Sequence, residues 1–127
     1  MSFNSVLASM ICNIKVAIKN KQYFASCRYS KFCYNILLKL QEDNVVEKIS
    51  IEKNKILFKI KIIDYYPLLI NIKMVSKPSC RIYVSYNDIK RYMFSFNRAI
   101  VSTNKGILSY QECRKQKIGG ELLFVYL

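Results

Sequence analysis

Residues 55–63 read Lys-Ile-Leu-Phe-Lys-Ile-Lys-Ile-Ile, an alternation of period two in which Leu57 stands among the lysines. Successive side chains of a strand point to opposite faces, so the run sets Ile56, Phe58, Ile60 and Ile62 on one face and Lys55, Leu57, Lys59 and Lys61 on the other. One face belongs to a core and the other is largely basic. Two readings of the lysine row stay open: a solvated face that discourages edge pairing, and a surface that meets phosphate. Residues 45–52 precede the run as its partner strand, with Lys53-Asn54 as the turn of a hairpin.

Upstream the period changes. Leu7, Met10, Ile11, Ile14, Ala17 and Ile18 recur at helical spacing and leave Lys15 and Lys19 off the apolar stripe. Residues 22–28 are short and aromatic enough for a strand. Ser30 then stands as an N-cap before Cys33, Ile36, Leu37 and Leu40, and the second helix ends near Asn44, which tolerates a left-handed backbone. Helices mixed with antiparallel hairpins make the fold class α+β.

Residues 64–68, with Pro67, break the alternation and read as a linker between an N-terminal α+β module, 1–66, and a strand-rich module, 67–127. In the second module, residues 69–75 and 81–83 flank a turn at Ser76-Lys77-Pro78-Ser79, and Asn87 is placed to cap a short helix through Arg91. A tight hairpin turns through Ser102-Thr103-Asn104-Lys105-Gly106, where Asn104 and Gly106 tolerate positive φ. Ser109 and Glu112 match a capping box, so a helix carrying Arg114, Lys115 and Lys117 follows, with Gly119 suited to its C-terminal position. Residues 121–127 lack polar alternation after Glu121 and read as a strand covered on both faces.

Charge narrows the function. The 127 residues carry 21 Lys and Arg against 8 Asp and Glu, a formal net charge of +13, with 52% hydrophobic residues. Residues 1–66 hold 11 basic and 5 acidic groups and residues 67–127 hold 10 and 3, so both halves are positive. A disordered basic tail would concentrate the charge at one end; a folded cationic surface spreads it. A polyanionic partner follows, nucleic acid first and an anionic membrane second. The first helix has only modest charge, which weighs against a membrane-surface role.

The chain has no His, and Cys12, Cys27, Cys33, Cys80 and Cys113 form no C-x-x-C pair, so the usual zinc sets are incomplete and the thiols read as structural. General acid–base chemistry lacks its usual imidazole or carboxylate pair, and a Cys nucleophile lacks a base. Neither enzyme activity, a metal, a cofactor nor a small-molecule substrate is expected. The Ser102–Gly106 segment admits two readings: an ordinary polar turn, or a tip that reads folded RNA through hydroxyl, amide and lysine groups.

The segment Val75-Ser76-Lys77-Pro78-Ser79-Cys80-Arg81-Ile82-Tyr83, then Ser102-Thr103-Asn104-Lys105-Gly106, then Gly119-Gly120-Glu121 before an apolar end, resembles bacterial-type small-subunit ribosomal protein eight in order and spacing. The resemblance covers nearly the whole chain. It implies two linked α+β modules and direct binding to the central domain of small-subunit rRNA early in assembly, beside neighbouring small-subunit proteins. It also implies residue roles: Ser102, Thr103, Asn104, Lys105 and Gly106 as the main RNA contact, Gly119, Gly120 and Glu121 as the supporting turn, Lys77, Pro78, Arg81 and Tyr83 as a second RNA-facing stretch, and Ser30 and Lys31 on the N-terminal surface. Lys15, Lys31, Lys77, Arg81 and Lys105 would supply phosphate attraction, and Ser102, Thr103 and Asn104 position-specific hydrogen bonds. Tyr83 or Tyr86 would stack on a base or pack with its hydroxyl bonded.

Three positions depart from the family pattern. Asn104 stands where the loop has its second Ser, Ser79 where the turn has Gly, and Asn4-Ser5 where the first helix opens on Asp-Pro. Ser79 therefore implies a different turn type. Lys outnumbers Arg 16 to 5, with abundant Ile, Asn, Tyr and Phe, the bias of an AT-rich coding genome. With the first helix starting close to Met1 and leaving no room for a transit peptide, the expectation is an organelle-encoded protein of a mitochondrial ribosome, ahead of a plastid-type organelle or a bacterial cytoplasm. A free regulatory RNA-binding factor is the other functional class consistent with these motifs.

Overall fold

The apolar stripe of the first segment folds as helix α1 (Phe3–Lys19), which buries Leu7, Met10, Ile11, Ile14 and Ala17 and leaves Lys15 and Lys19 exposed. The computed structural model describes residues 3–77, 79–93 and 95–127. Strand β1 (Phe24–Arg28) follows, then α2 (Lys31–Glu42), which buries Cys33, Ile36, Leu37 and Leu40. Helix α2 runs into Asn44 at φ 63°, the left-handed conformation that Asn tolerates better than most residues.

Strands β2 (Val46–Glu52) and β3 (Lys55–Ile60) form the hairpin, turning through Lys53 (φ 46°) and Asn54 (φ 63°). Positive φ at both central residues is the type I′ geometry that matches strand twist. The sheet has the order β1-β3-β2, antiparallel throughout. Ile56, Phe58 and Ile60 are buried, while α1 packs on β1 and α2 on β2. The edge strand β1 is closed in part by Asn13, whose amide donates to the Ser26 carbonyl at 2.7 Å.

The alternation stops at Lys61. Strands β4 (Ile62–Ile63) and β5 (Tyr66–Pro67) pair with each other across Asp64 (φ 52°) and Tyr65 (φ 69°), and the Leu68 amide returns to the Lys61 carbonyl at 2.9 Å. The stretch expected as a linker is thus a small hairpin. The two compact units divide between Asn71 and Ile72, later than the Tyr66/Pro67 junction, because these local hydrogen bonds tie residues 62–68 to the first unit.

The second unit contains β6 (Ile72–Met74), β7 (Tyr83–Val84), a 3-10 turn (Ile89–Tyr92), β8 (Arg98–Thr103), β9 (Gly106–Ser109), α3 (Tyr110–Gln116) and β10 (Gly120–Tyr126). Its sheet runs β6-β10-β8-β9, and β7 pairs with the opening end of β10. Val84, Ile89, Met93, Ala99, Val101, Leu108, Cys113, Leu122 and Val125 form its core. Strand β10 is buried from Leu122 to Tyr126, in keeping with its unbroken apolar run. The short helix is capped differently from expectation: Asp88, not Asn87, is the N-cap, and its carboxylate accepts from the Ser85 hydroxyl at 3.0 Å instead of closing the helix.

Cys27, Cys33 and Cys113 are buried, whereas Cys12 and Cys80 are exposed, so the structural-thiol reading fits three positions of the five. A thiol hydrogen bond holds Cys33 above its ordinary pKa and Cys27 below it, with burial raising Cys33 further. Burial, aided by the Glu112 carboxylate, pushes Cys113 up to about 11. Among the described residues no helix is long and apolar enough to cross a membrane, and no cluster of three or more His, Cys, Asp or Glu is placed for a metal.

Candidate nucleic-acid interface

The β8–β9 hairpin is made by Thr103. Its register partner is Gly106, its Oγ1 donates to the Gly106 carbonyl at 2.8 Å, and the same oxygen accepts the Lys105 amide at 3.1 Å. Gly106 takes φ 110°, the position where a hairpin with a bulged glycine needs a residue without Cβ. Of the two residues that tolerate positive φ, Gly106 takes it and Asn104 keeps a negative φ. The Thr103 hydroxyl is committed to the turn, and Asn104 and Lys105 are exposed at its tip.

Strand pairing carries this hairpin into a wider surface. Glu121 of β10 pairs with Tyr83 of β7 on one side and with Ser102 of β8 on the other, and Ser102 pairs with Ile107 of β9. Directly paired residues share a face, so Tyr83, Glu121, Ser102 and Ile107 form one row across four strands. The adjacent residues Val84, Leu122, Val101 and Leu108 point the other way into the core, which sets the row on the face of the sheet opposite that core. Tyr83 is 68% exposed and Ser102 half-buried. Among the described side-chain polar atoms, Glu121 Oε1 is buried without a hydrogen-bond partner. An ionised carboxylate only accepts, so Glu121 Oε1 is a buried acceptor left without a donor in the free protein.

Both glycines before Glu121 make room for backbone. A Cβ on Gly119 would lie 2.3 Å from the Val84 carbonyl oxygen, and one on Gly120 would lie 2.2 Å from the Ser102 carbonyl oxygen. Neither is the helix stop. Helix α3 is capped at its start by Ser109, whose hydroxyl accepts the Glu112 amide at 3.4 Å and donates to the Glu112 carboxylate at 3.2 Å. At its end Lys117 takes the left-handed conformation assigned by the sequence to Gly119, and its amide bonds the Cys113 carbonyl. Gly119 lies too far along the chain for that job, since it already sits against β7.

The second stretch closes as a small turn in which Lys77 and Cys80 exchange both backbone hydrogen bonds, at 2.9 and 3.0 Å. Pro78 lies outside the described residues. Lys77 and Arg81 are exposed. Ser76 holds the base of the turn: fully buried, its hydroxyl accepts the Ile82 amide at 2.9 Å and donates to the Ile82 carbonyl at 3.3 Å. In the sequence the only signal for this role is a small polar residue between apolar Val75 and the exposed turn.

Cations extend along α3, where Arg114, Lys115 and Lys117 are exposed and the Arg114 guanidinium lies 5.6 Å from the Tyr110 ring centroid. Tyr86 is half-buried, which leaves Tyr83 as the more available ring. Lys15, Ser30 and Lys31 belong to the first unit. Ser30 occupies the N-cap of α2 without a side-chain capping bond. Lys15 and Lys31 are exposed on their helices.

A family model described as Ribosomal protein S8 matches residues 5–126. The chain is 33% identical to small ribosomal subunit protein uS8 of Vesicomyosocius okutanii subsp. Calyptogena okutanii over 97% of both chains. It is 32% identical to uS8 of Acholeplasma laidlawii over 97% of both, and 31% identical to uS8c of Gracilaria tenuistipitata var. liui over 94% of this chain and 96% of the relative. With the two-unit α+β fold and the paired motifs in place, the chain belongs to the ribosomal protein S8 family.

Proposed function

We propose that this chain is a structural constituent of the small ribosomal subunit that binds the central domain of its rRNA directly and supports its assembly. The observation that carries the reading is the row Tyr83–Glu121–Ser102, which joins an exposed ring, a buried acceptor lacking a donor and a hydroxyl beside a lysine-tipped hairpin. Folded RNA offers complements to all three: unstacked bases, 2′-hydroxyl or exocyclic amino donors, and phosphates. Lys77, Arg81, Lys105 and the α3 cations attract phosphate without regard to sequence, while Ser102, Asn104 and Glu121 read position. Thr103 and Gly106 shape the hairpin, and Gly119 and Gly120 admit it to the sheet. Neighbouring small-subunit proteins complete the surroundings, and the role is structural, not enzymatic. The AT-biased composition and the departures at Ser79 and Asn104 support a mitochondrial ribosome as its home.

Titration of a central-domain rRNA fragment at several salt concentrations tests the division of roles. Lys105→Ala is expected to weaken binding and to flatten the log–log salt slope by about 1, the loss of one phosphate contact. Ser102→Ala is expected to weaken binding about tenfold, one hydrogen bond with its unpaired partner, and to keep the wild-type slope. Identical slopes for Lys105→Ala and wild type would remove the phosphate role; unchanged affinity in Ser102→Ala would remove the reading role. In sedimentation, the protein is expected to stay with small subunits through a high-salt wash. Its release would point to a loosely associated regulatory factor instead.

A further inference from the structure

We propose that the open face of the β1-β3-β2 sheet is a second RNA site, which stacks an unpaired nucleobase on Phe24 and holds its phosphate with Lys48. The proposal rests on the reading of the chain as an rRNA-binding protein, but it uses a different unit and none of the residues of the Tyr83–Glu121–Ser102 row.

Register assigns the face. Phe24 pairs with Lys59, Ser26 with Leu57 and Arg28 with Lys55, while Glu47, Ser50 and Glu52 of β2 continue these three rows. The opposite face carries the buried Cys27, Ile56, Phe58 and Ile60, so the nine rowed residues look outward. A groove of about 490 Å³ lies on this side, lined among others by Phe24, Ser26, Lys48, Ser50 and Leu57.

Three features of the groove suit a nucleotide. First, Phe24 is 67% exposed, and Lys59 Nζ sits 5.4 Å from its ring centroid while its other contact is Glu47 Oε1 at 3.5 Å. An aromatic ring left in water, steadied from one side by a cation, is a ready stacking platform. Second, Ser26–Leu57–Ser50 forms a hydroxyl–aliphatic–hydroxyl row beside it, which gives a base or ribose edge donors and acceptors at both margins. Third, β2 is irregular between Glu47 and Ser50, where Lys48 takes φ 55° and lines the groove. The left-handed region is disfavoured for a non-glycine residue, and here that conformation accompanies the place of Lys48 in the groove's lining.

Charge selects RNA over an apolar peptide as the occupant. The face carries Arg28, Lys48, Lys55 and Lys59 against Glu47 and Glu52, an excess of cations around an aromatic ring, which is the pattern of single-strand platforms. An apolar segment would instead strand these charges on binding.

The test uses the full chain and a fluorescein-labelled ten-nucleotide oligouridylate. Phe24→Leu keeps apolar bulk but loses the π face, and is expected to weaken oligouridylate binding about tenfold, with Phe24→Tyr restoring it. Lys48→Ala is expected to flatten the salt slope, and ultraviolet cross-linking to place a uridine adduct on the peptide containing Phe24. Because Phe24 is exposed, the melting temperature of Phe24→Leu should match wild type. Equal oligouridylate affinity for wild type and Phe24→Leu would overturn the proposal, as would adducts confined to the second unit, even if Ser102→Ala still weakens the rRNA fragment. Loss of the Ser102 effect with the Phe24 effect intact would instead remove the reading role of the Tyr83–Glu121–Ser102 row and leave this site standing.

Discussion

Gly120→Ala is expected to destabilise the protein by about 3 kcal/mol, the upper end of overpacking costs, and to lower its melting temperature by about 10 °C for a domain of this size. The added Cβ would stand 2.2 Å from the Ser102 carbonyl oxygen, 3.0 Å from its carbonyl carbon and 3.1 Å from the Thr103 Cα. All three are backbone atoms of β8, so no side-chain rotation relieves the clash. The strand must move away from β10, and the Glu121–Ser102 pairing moves with it. Gly106→Ala is the control, because a Cβ there meets nothing within 4 Å and pays only for its φ of +110°. Thermal melts of the two variants separate close approach from backbone conformation. A loss for Gly120→Ala no larger than for Gly106→Ala would refute the packing argument.

The comparison also marks how far local sequence reaches. Features set by neighbouring residues were legible: the period-two run that became β3, the Lys53-Asn54 turn, the left-handed Asn44, and the Ser109–Glu112 box. Each depends on residues within a turn of the chain, where propensity and hydrogen bonding act directly. Gly119 illustrates the opposite case. Locally it follows a helix and suits a helix stop, yet its nearest backbone neighbour is Val84, far away in sequence. With Gly119 committed there, Lys117 accepts the left-handed conformation instead.

Register limits the candidate site in the same way. Ser102, Tyr83 and Glu121 each stand in a recognisable motif, but only the pairing of β10 with β7 and β8 lines them up. A shift of one residue would send Glu121 to the core face and Leu122 outward. The irregularity between Leu122 and Phe124 shifts the alternation of β10 by one residue, so that Leu122 and Val125 both face the core, and there the Leu123 carbonyl accepts the Val75 and Ser76 amides at 3.0 and 3.3 Å. The Lys77–Cys80 turn is thereby anchored to the strand that carries Glu121.

Glu121→Ala is expected to separate stability from binding. Burying an acceptor without a partner costs about 1–3 kcal/mol, so removing Glu121 Oε1, which lacks one in the free protein, should leave the melting temperature unchanged or raise it. Binding to a central-domain rRNA fragment should fall by about tenfold to a hundredfold, since the RNA donor that met the carboxylate would be left unsatisfied. Phosphate oxygens are acceptors and anions, so under the proposed function the partner is an RNA donor such as a 2′-hydroxyl, an exocyclic amino group or a base imino N–H, and the salt slope should stay at its wild-type value. Glu121→Gln distinguishes the two contributions: it keeps a carbonyl acceptor without the charge, and should recover part of the affinity while Glu121→Ala recovers none. If Glu121→Ala melts earlier than wild type and binds the fragment equally well, the carboxylate is a brace of the β7–β10–β8 junction and not a reader of RNA.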